Sequence, residues 1–138
     1  MSVYRLYSFT NYYLSSLQKG LQTAHVVSEM ALRNSIFRER YPNVPETAFE
    51  QWCRQDRTII ILNGGNSAQL QALNLDLQKF DLPHDPTFFR EDEESLGRAF
   101  TAVGILLPDE YWDPKSPRRD NNEIVPFRKF MEKFQLAV

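Results

Sequence analysis

The chain has 138 residues, 42% hydrophobic, 13% aromatic and 25% charged, with a net charge of −2; this is the composition of a folded domain and excludes a wholly disordered or fibrous chain. No apolar stretch reaches the ~20 residues that span a bilayer, no basic-then-apolar leader opens the sequence, and the single Cys53 excludes an internal disulfide and a multi-cysteine zinc site. The expectation is a cytoplasmic protein with no membrane partner. Residues 1–60 carry seven Lys/Arg and five Asp/Glu, residues 61–138 nine and thirteen, a balance unlike that of a dedicated nucleic-acid binder but one that leaves room for a local basic patch.

Val3 to Phe9, rich in Val, Tyr, Leu and Phe, predicts a first strand. After cap-forming Thr10, Asn11, Ser15 and Ser16, the residues Leu14, Leu17, Leu21, Ala24, Val27 and Ala31 recur at steps of three and four, which predicts a helix of about five turns with these residues as its apolar stripe. Pro45 opens a second helix carrying Phe49, Trp52 and Cys53 on one face, where Cys53 reads as core. The run Thr58-Ile59-Ile60-Ile61-Leu62 is β-branched and continuously apolar and suits a strand covered on both faces. Asn63-Gly64-Gly65-Asn66 breaks it, Asn66 and Gln69 form a capping box, and Leu70, Leu73, Leu77 and Phe80 give the stripe of a third helix that Pro83 ends. Phe88 and Phe89 mark a short strand and Ala99 to Leu107 a last one. Beyond a linker at 109–122, Phe127, Phe130, Met131 and Phe134 mark a C-terminal amphipathic helix, expected to dock on its own domain, with a second copy of the chain as the alternative. Strands alternating with helices predict a mixed α/β sandwich over residues 1–108, followed by a linker and helix at 109–138.

Four constellations carry chemistry. Gln18, Gln22, His25 and Glu29 share one helix face, and Glu29 stands one turn from His25, close enough to orient an imidazole; spacing alone makes this a solvated face. The acidic run Glu91-Asp92-Glu93-Glu94 precedes Ser95, a carboxylate–hydroxyl pairing able to position a water, although such runs are usually solvated loops. The Gly64-Gly65 turn precedes a helix but lacks the lysine of a phosphate loop and reads as a plain turn. Lys115, Arg118 and Arg119 lie near Tyr111 and Trp112, a mixture that suits RNA, or else a charged, solubilising linker. With only two histidines, no metal site is expected.

In order and spacing these segments resemble the type 2 peptidyl-tRNA hydrolase family. Lys19-Gly20-Leu21-Gln22-Thr23-Ala24-His25 is similar to the family's Gly-Lys-x-x-Ala-Gln-x-x-His helix. Trp52 before Arg57–Leu62, the Leu-rich helix ending in Asp81-Leu82-Pro83, the stretch Phe89–Ser95 set against Ile-x-Asp-Ala-Gly-x-Thr, and Thr101–Pro108 set against the last family strand complete the likeness over about Tyr4 to Pro108. The resemblance implies a four-stranded mixed sheet flanked by helices, with an extra C-terminal helix here, and hydrolysis of the ester between a peptide and tRNA without a metal or organic cofactor. It also implies roles: Glu91 positioning or deprotonating water, His25 hydrogen-bonding the ester or the leaving 3′-oxygen, and Ser95 and Thr101 supplying hydroxyl contacts. Gln22 lies on the substrate side, and Lys19, Arg33, Arg38 and Arg40 would meet tRNA phosphates. The chain departs from the motif at Gln18, which holds the family's lysine position, and at Glu91 and Glu93, where the family has Asp and Gly. The alternative is a module that keeps the fold and binds RNA or protein without catalysis.

Overall fold

The computed structural model describes residues 2–90, 99–116 and 121–137. Four strands, β1 (Tyr4–Asn11), β2 (Thr58–Gly65), β3 (Thr87–Arg90) and β4 (Phe100–Pro108), are joined by helices α1 (Ser16–Arg40), α2 (Ala48–Gln51) and α3 (Ser67–Lys79) and followed by α4 (Val125–Met131). The sheet order is β2-β1-β4-β3. β2 lies parallel to β1, with Leu6 opposite Ile59 and Phe9 opposite Leu62, and β4 runs antiparallel to both β1 and β3. The four-stranded mixed sheet with helices is the architecture the alternating apolar runs predict.

Strand alternation divides the core in two. Leu6, Ala102 and Leu106 join Val26 and Met30 of α1 and Trp52 on one face. Tyr7, Phe9, Val103, Ile105 and Leu107 meet Leu70, Leu73 and Leu77 of α3 and Phe127 of α4 on the other. Both long helices start as their sequences dictate: Ser15 with Gln18, and Asn66 with Gln69, form reciprocal capping boxes.

The face α1 turns inward is not its apolar stripe. Lys19, Gln22, Thr23, Val26 and Met30 are buried, whereas Leu17, Leu21 and Leu32 are 76%, 53% and 57% exposed. The strands supply the reason. Ser8 and Thr10 of β1 point to the α1 side, and a buried hydroxyl without a partner costs about 1–3 kcal/mol. Thr23 gives its proton to the Lys19 carbonyl oxygen at 2.9 Å, so Ser8 donates to Thr23 Oγ1 at 2.8 Å. Farther along, Val26 fills the notch left by Gly104 of β4, where a Cβ would lie 2.5 Å from Val26 Cγ1. Polar matching at one end and a glycine notch in the middle set the helix rotation, and both are invisible to periodicity.

Three other expectations change. β2 is an edge strand, with Ile59 42% exposed, rather than one covered on both faces. Its open edge is closed by the C-terminal tail, where Asn63 N–H donates to the Gln135 carbonyl and Ala137 N–H to that of Ile61, both at 2.9 Å. The second helix breaks into α2 and a π-turn, Trp52–Asp56, that leaves Trp52 buried but Cys53 exposed, so Cys53 is not core. Trp112 is not a free stacking platform: the Arg5 guanidinium lies 3.7 Å over its ring and its indole N–H donates to the Leu107 carbonyl at 3.1 Å. The C-terminal aromatics pack on their own domain, with Phe127 fully buried against Phe80 and Tyr111, and Phe134 edge-on to Phe9 at 4.8 Å.

Candidate functional site

At the carboxyl ends of the parallel pair β1 and β2, the layer between sheet and α1 becomes polar. Open α/β sheets place ligands at such strand ends, where chain reversals leave a crevice. Thr10 donates to the Leu62 carbonyl at 3.2 Å, and Asn11 uses its amide to tie the end of β1 to the Phe100 carbonyl at 3.4 Å. The Lys19 side chain lies buried along this end, and its Nζ donates to Asn63 Oδ1 at 3.3 Å. One of its three N–H donors is thereby used, and among the described residues no carboxylate forms an ion pair with it. Lys19, rather than Gln18, is therefore the residue the helix delivers to the sheet, and Gln18 is occupied in the α1 cap.

One turn on, Gln22 meets Thr101. Strict alternation along β4 would send Thr101 to the α3 side with Val103 and Ile105. The pairing with β3 slips here, Phe89 standing opposite Ala102 and Arg90 opposite Phe100, so Thr101 has no partner across the ladder. This bulge directs its hydroxyl to Gln22 Oε1 at 2.8 Å, with the Phe89 carbonyl at 3.4 Å as a longer contact. His25 follows on the same helix and stacks flat on Phe89, ring centroids 4.3 Å apart and planes 8° from parallel. The stack uses one ring face, and His25 is otherwise exposed. Glu29 makes no hydrogen bond to His25, so its expected orienting role is taken by Phe89. Beside the cluster, where β1 turns into α1, Tyr12 and Tyr13 stand 46% and 73% exposed with rings 3.9 Å apart.

Lys19, Gln22, His25 and Thr101 are thus brought to one end of one face. Glu91 and Ser95 lie outside the described residues, as do Arg118 and Arg119; the flanking Arg90 and Phe100 pair at the same end of the sheet as Thr101. Arg33 does not join the cluster. It stands two turns farther along α1 and donates to Thr87 Oγ1 at 3.1 Å. Arg38 is not available for phosphate either, because its guanidinium is held by the Glu50 carboxylate and by the Val44 and Pro45 carbonyls. Sequence reading missed Asn63, Phe89 and the Tyr12–Tyr13 pair as site residues. For Asn63 and Tyr12 the signal is position, since they lie at the carboxyl ends of β2 and β1, which the structure shows to be parallel.

Among the described residues, no three His, Cys, Asp or Glu side chains converge, and no helix is long and apolar enough to cross a membrane. No protein-family model matches the chain, and no curated protein or solved structure matches it significantly.

Proposed function

We propose that the chain is a divergent peptidyl-tRNA hydrolase, releasing peptide from tRNA at the crevice above β1 and β2. The observation that carries this reading is the orientation of α1: it holds Lys19, Gln22 and Thr23 against the sheet while leaving Leu17 and Leu21 in water. The rotation that the Ser8–Thr23 contact and the Gly104 notch set thereby gathers polar side chains at the strand ends where open α/β sheets place ligands. The chemistry also fits. Lys19 has two N–H donors without a partner among the described residues to offer a terminal phosphate, and the exposed Tyr12 and Tyr13 rings offer stacking faces to unpaired bases, the combination that single-stranded RNA ends use.

In this reading Glu91 takes a proton from water as the water oxygen attacks the ester carbonyl carbon. The C–O bond to the ribose then breaks, and the 3′-oxygen leaves as it takes that proton back from Glu91, its developing charge eased by a hydrogen bond from His25. Gln22 and Thr101, which satisfy one another, hold the wall behind the ester as positioning residues. Ser95 supplies a hydroxyl contact.

The experiment is release of labelled peptide from peptidyl-tRNA by the wild type and by Glu91→Gln, His25→Ala and Lys19→Met. The expected result is turnover by the wild type and a fall of about 10²–10⁴ with Glu91→Gln. Salt-dependent tRNA binding without any release would replace catalysis by RNA binding alone. Neither binding nor release would end the reading.

A further inference from the structure

We propose that the groove at the other end of the α1 face binds a small acyl carboxylate, a ligand with an apolar body and a single anionic head. The groove encloses about 700 Å³, within the range of small-molecule sites. It lies between the second half of α1, the start of α2, the 83–85 turn and the first residue of β3. None of Lys19, Gln22, His25, Asn63, Phe89 or Thr101 lines it, so it is separate from the polar cluster.

Its walls are Met30, Ile36, Phe37, Phe49 and Leu106. Ile36 and Phe37 stand 57% and 37% exposed, an apolar lining left open to water. Two cations stand in this lining, Arg33 and Arg40, seven residues apart on one side of α1. Their state differs from that of other arginines nearby. Arg38 is paired with Glu50 and Arg54 with Glu46. Arg33 by contrast gives one N–H to the neutral Thr87 hydroxyl, which fixes its guanidinium beside the wall, and its other donors have no partner among the described residues. Arg40 has no ion-pair or hydrogen-bond partner among the described residues. The one acid in the lining, Asp85, pairs with neither. His84 adds no fixed positive charge, because burial holds its imidazole below the ordinary pKa. Where arginines on this surface have carboxylate neighbours they pair with them; the two that line the groove face a space instead. A guanidinium accepts a carboxylate in a two-bonded fork, and the apolar walls take an alkyl or aryl body. A single-headed anion satisfies both features, while a cation or a bare phosphate satisfies neither or one.

The test is titration of the full chain with octanoate, octan-1-ol, octylammonium and inorganic phosphate, followed by amide shifts in ¹H–¹⁵N spectra. Octanoate is expected to shift residues around Phe37, Thr87 and Leu106 with millimolar affinity or better, on the order that a ligand of about ten heavy atoms reaches. The alcohol and the ammonium are expected to bind at least ~10-fold more weakly, and Arg33→Gln with Arg40→Gln to weaken octanoate by a similar factor, the scale of a charge-assisted hydrogen bond. Phe37→Glu, a change at an already exposed side chain, places a carboxylate in the wall and abolishes binding. Dispersed spectra of each variant report that it is folded. Equal affinity for octanoate and octylammonium, octanoate shifts confined to another face, no shift up to about ten millimolar, or full affinity in the double arginine variant would each overturn the proposal.

Discussion

The Thr101 hydroxyl donates to Gln22 Oε1 at 2.8 Å only because β4 carries an extra residue against β3 at that point. The bulge takes one side chain out of the α3 layer and hands it to the α1 layer, joining the start of β4 to the middle of the polar helix face. Thr101→Val keeps the shape and removes the proton, leaving a buried amide oxygen unpartnered. The expected loss is about 1–3 kcal/mol in urea unfolding, with Thr101→Ser retaining most of it. Equal midpoints for the valine variant and the wild type would show that the pair contributes nothing.

Lys19 is expected to matter more for ligand than for fold. Among the described residues its Nζ makes one hydrogen bond, to a neutral amide, so Lys19→Met, which keeps the buried stem, should shift stability by no more than about 1 kcal/mol. If the lysine meets a tRNA phosphate, the same change reduces the dependence of log affinity on log salt by about 1. A variant with an unchanged salt slope would remove Lys19 from the interface.

Gly104 and Val26 set the distance between sheet and α1. A methyl group on Gly104 lies 2.5 Å from Val26 Cγ1, and a β-branched side chain pinned on a helix has little freedom to withdraw. Gly104→Ala is expected to cost about 1–3 kcal/mol by overpacking. Adding Val26→Ala should recover part of that loss, since the two changes share one space. Strict additivity in thermal unfolding would refute the steric account.

Glu50 gives the fold a pH signature. Hydrogen bonds from Arg38, then Asn34 and the Thr47 backbone, lower its carboxyl pKa to about 2, against an ordinary value of 4.5. The folded state therefore binds fewer protons than the unfolded one between these values. The stabilisation is complete above pH 4.5, declines as the pH falls toward 2 and is absent below it. In thermal scans Glu50→Gln should melt below the wild type at pH 7, and the gap should close as the pH approaches 2. A gap constant over that range would exclude ionisation of Glu50 as its source.

Much of the architecture is legible in the residues. The β-branched run at 58–62, the capping pairs Ser15–Gln18 and Asn66–Gln69, and the leucine stripe of α3 each state a local preference that the fold keeps, because backbone geometry and caps act over a few residues. The rotation of α1 is different. Its leucines obey helical periodicity as well as those of α3 do, yet they face water, because the partner surface is polar at Ser8 and Thr10 and notched at Gly104. Periodicity reports that a helix has a stripe; which stripe is buried depends on the strand beneath it.

The site follows the same division. His25 and Gln22 stand out by spacing, and the sequence by itself determined that they share a helix with Lys19. Only the tertiary structure decided that Asn63 would meet Lys19, that Phe89 would stack on His25 and that Arg33 and Arg40 would line a groove of their own. Asn63 and Phe89 lie 44 and 64 residues from the side chains they meet, and strand order places them there. Local sequence encodes which elements form; contacts between elements are fixed by register, twist and the matching of buried polar groups, which the whole chain settles at once.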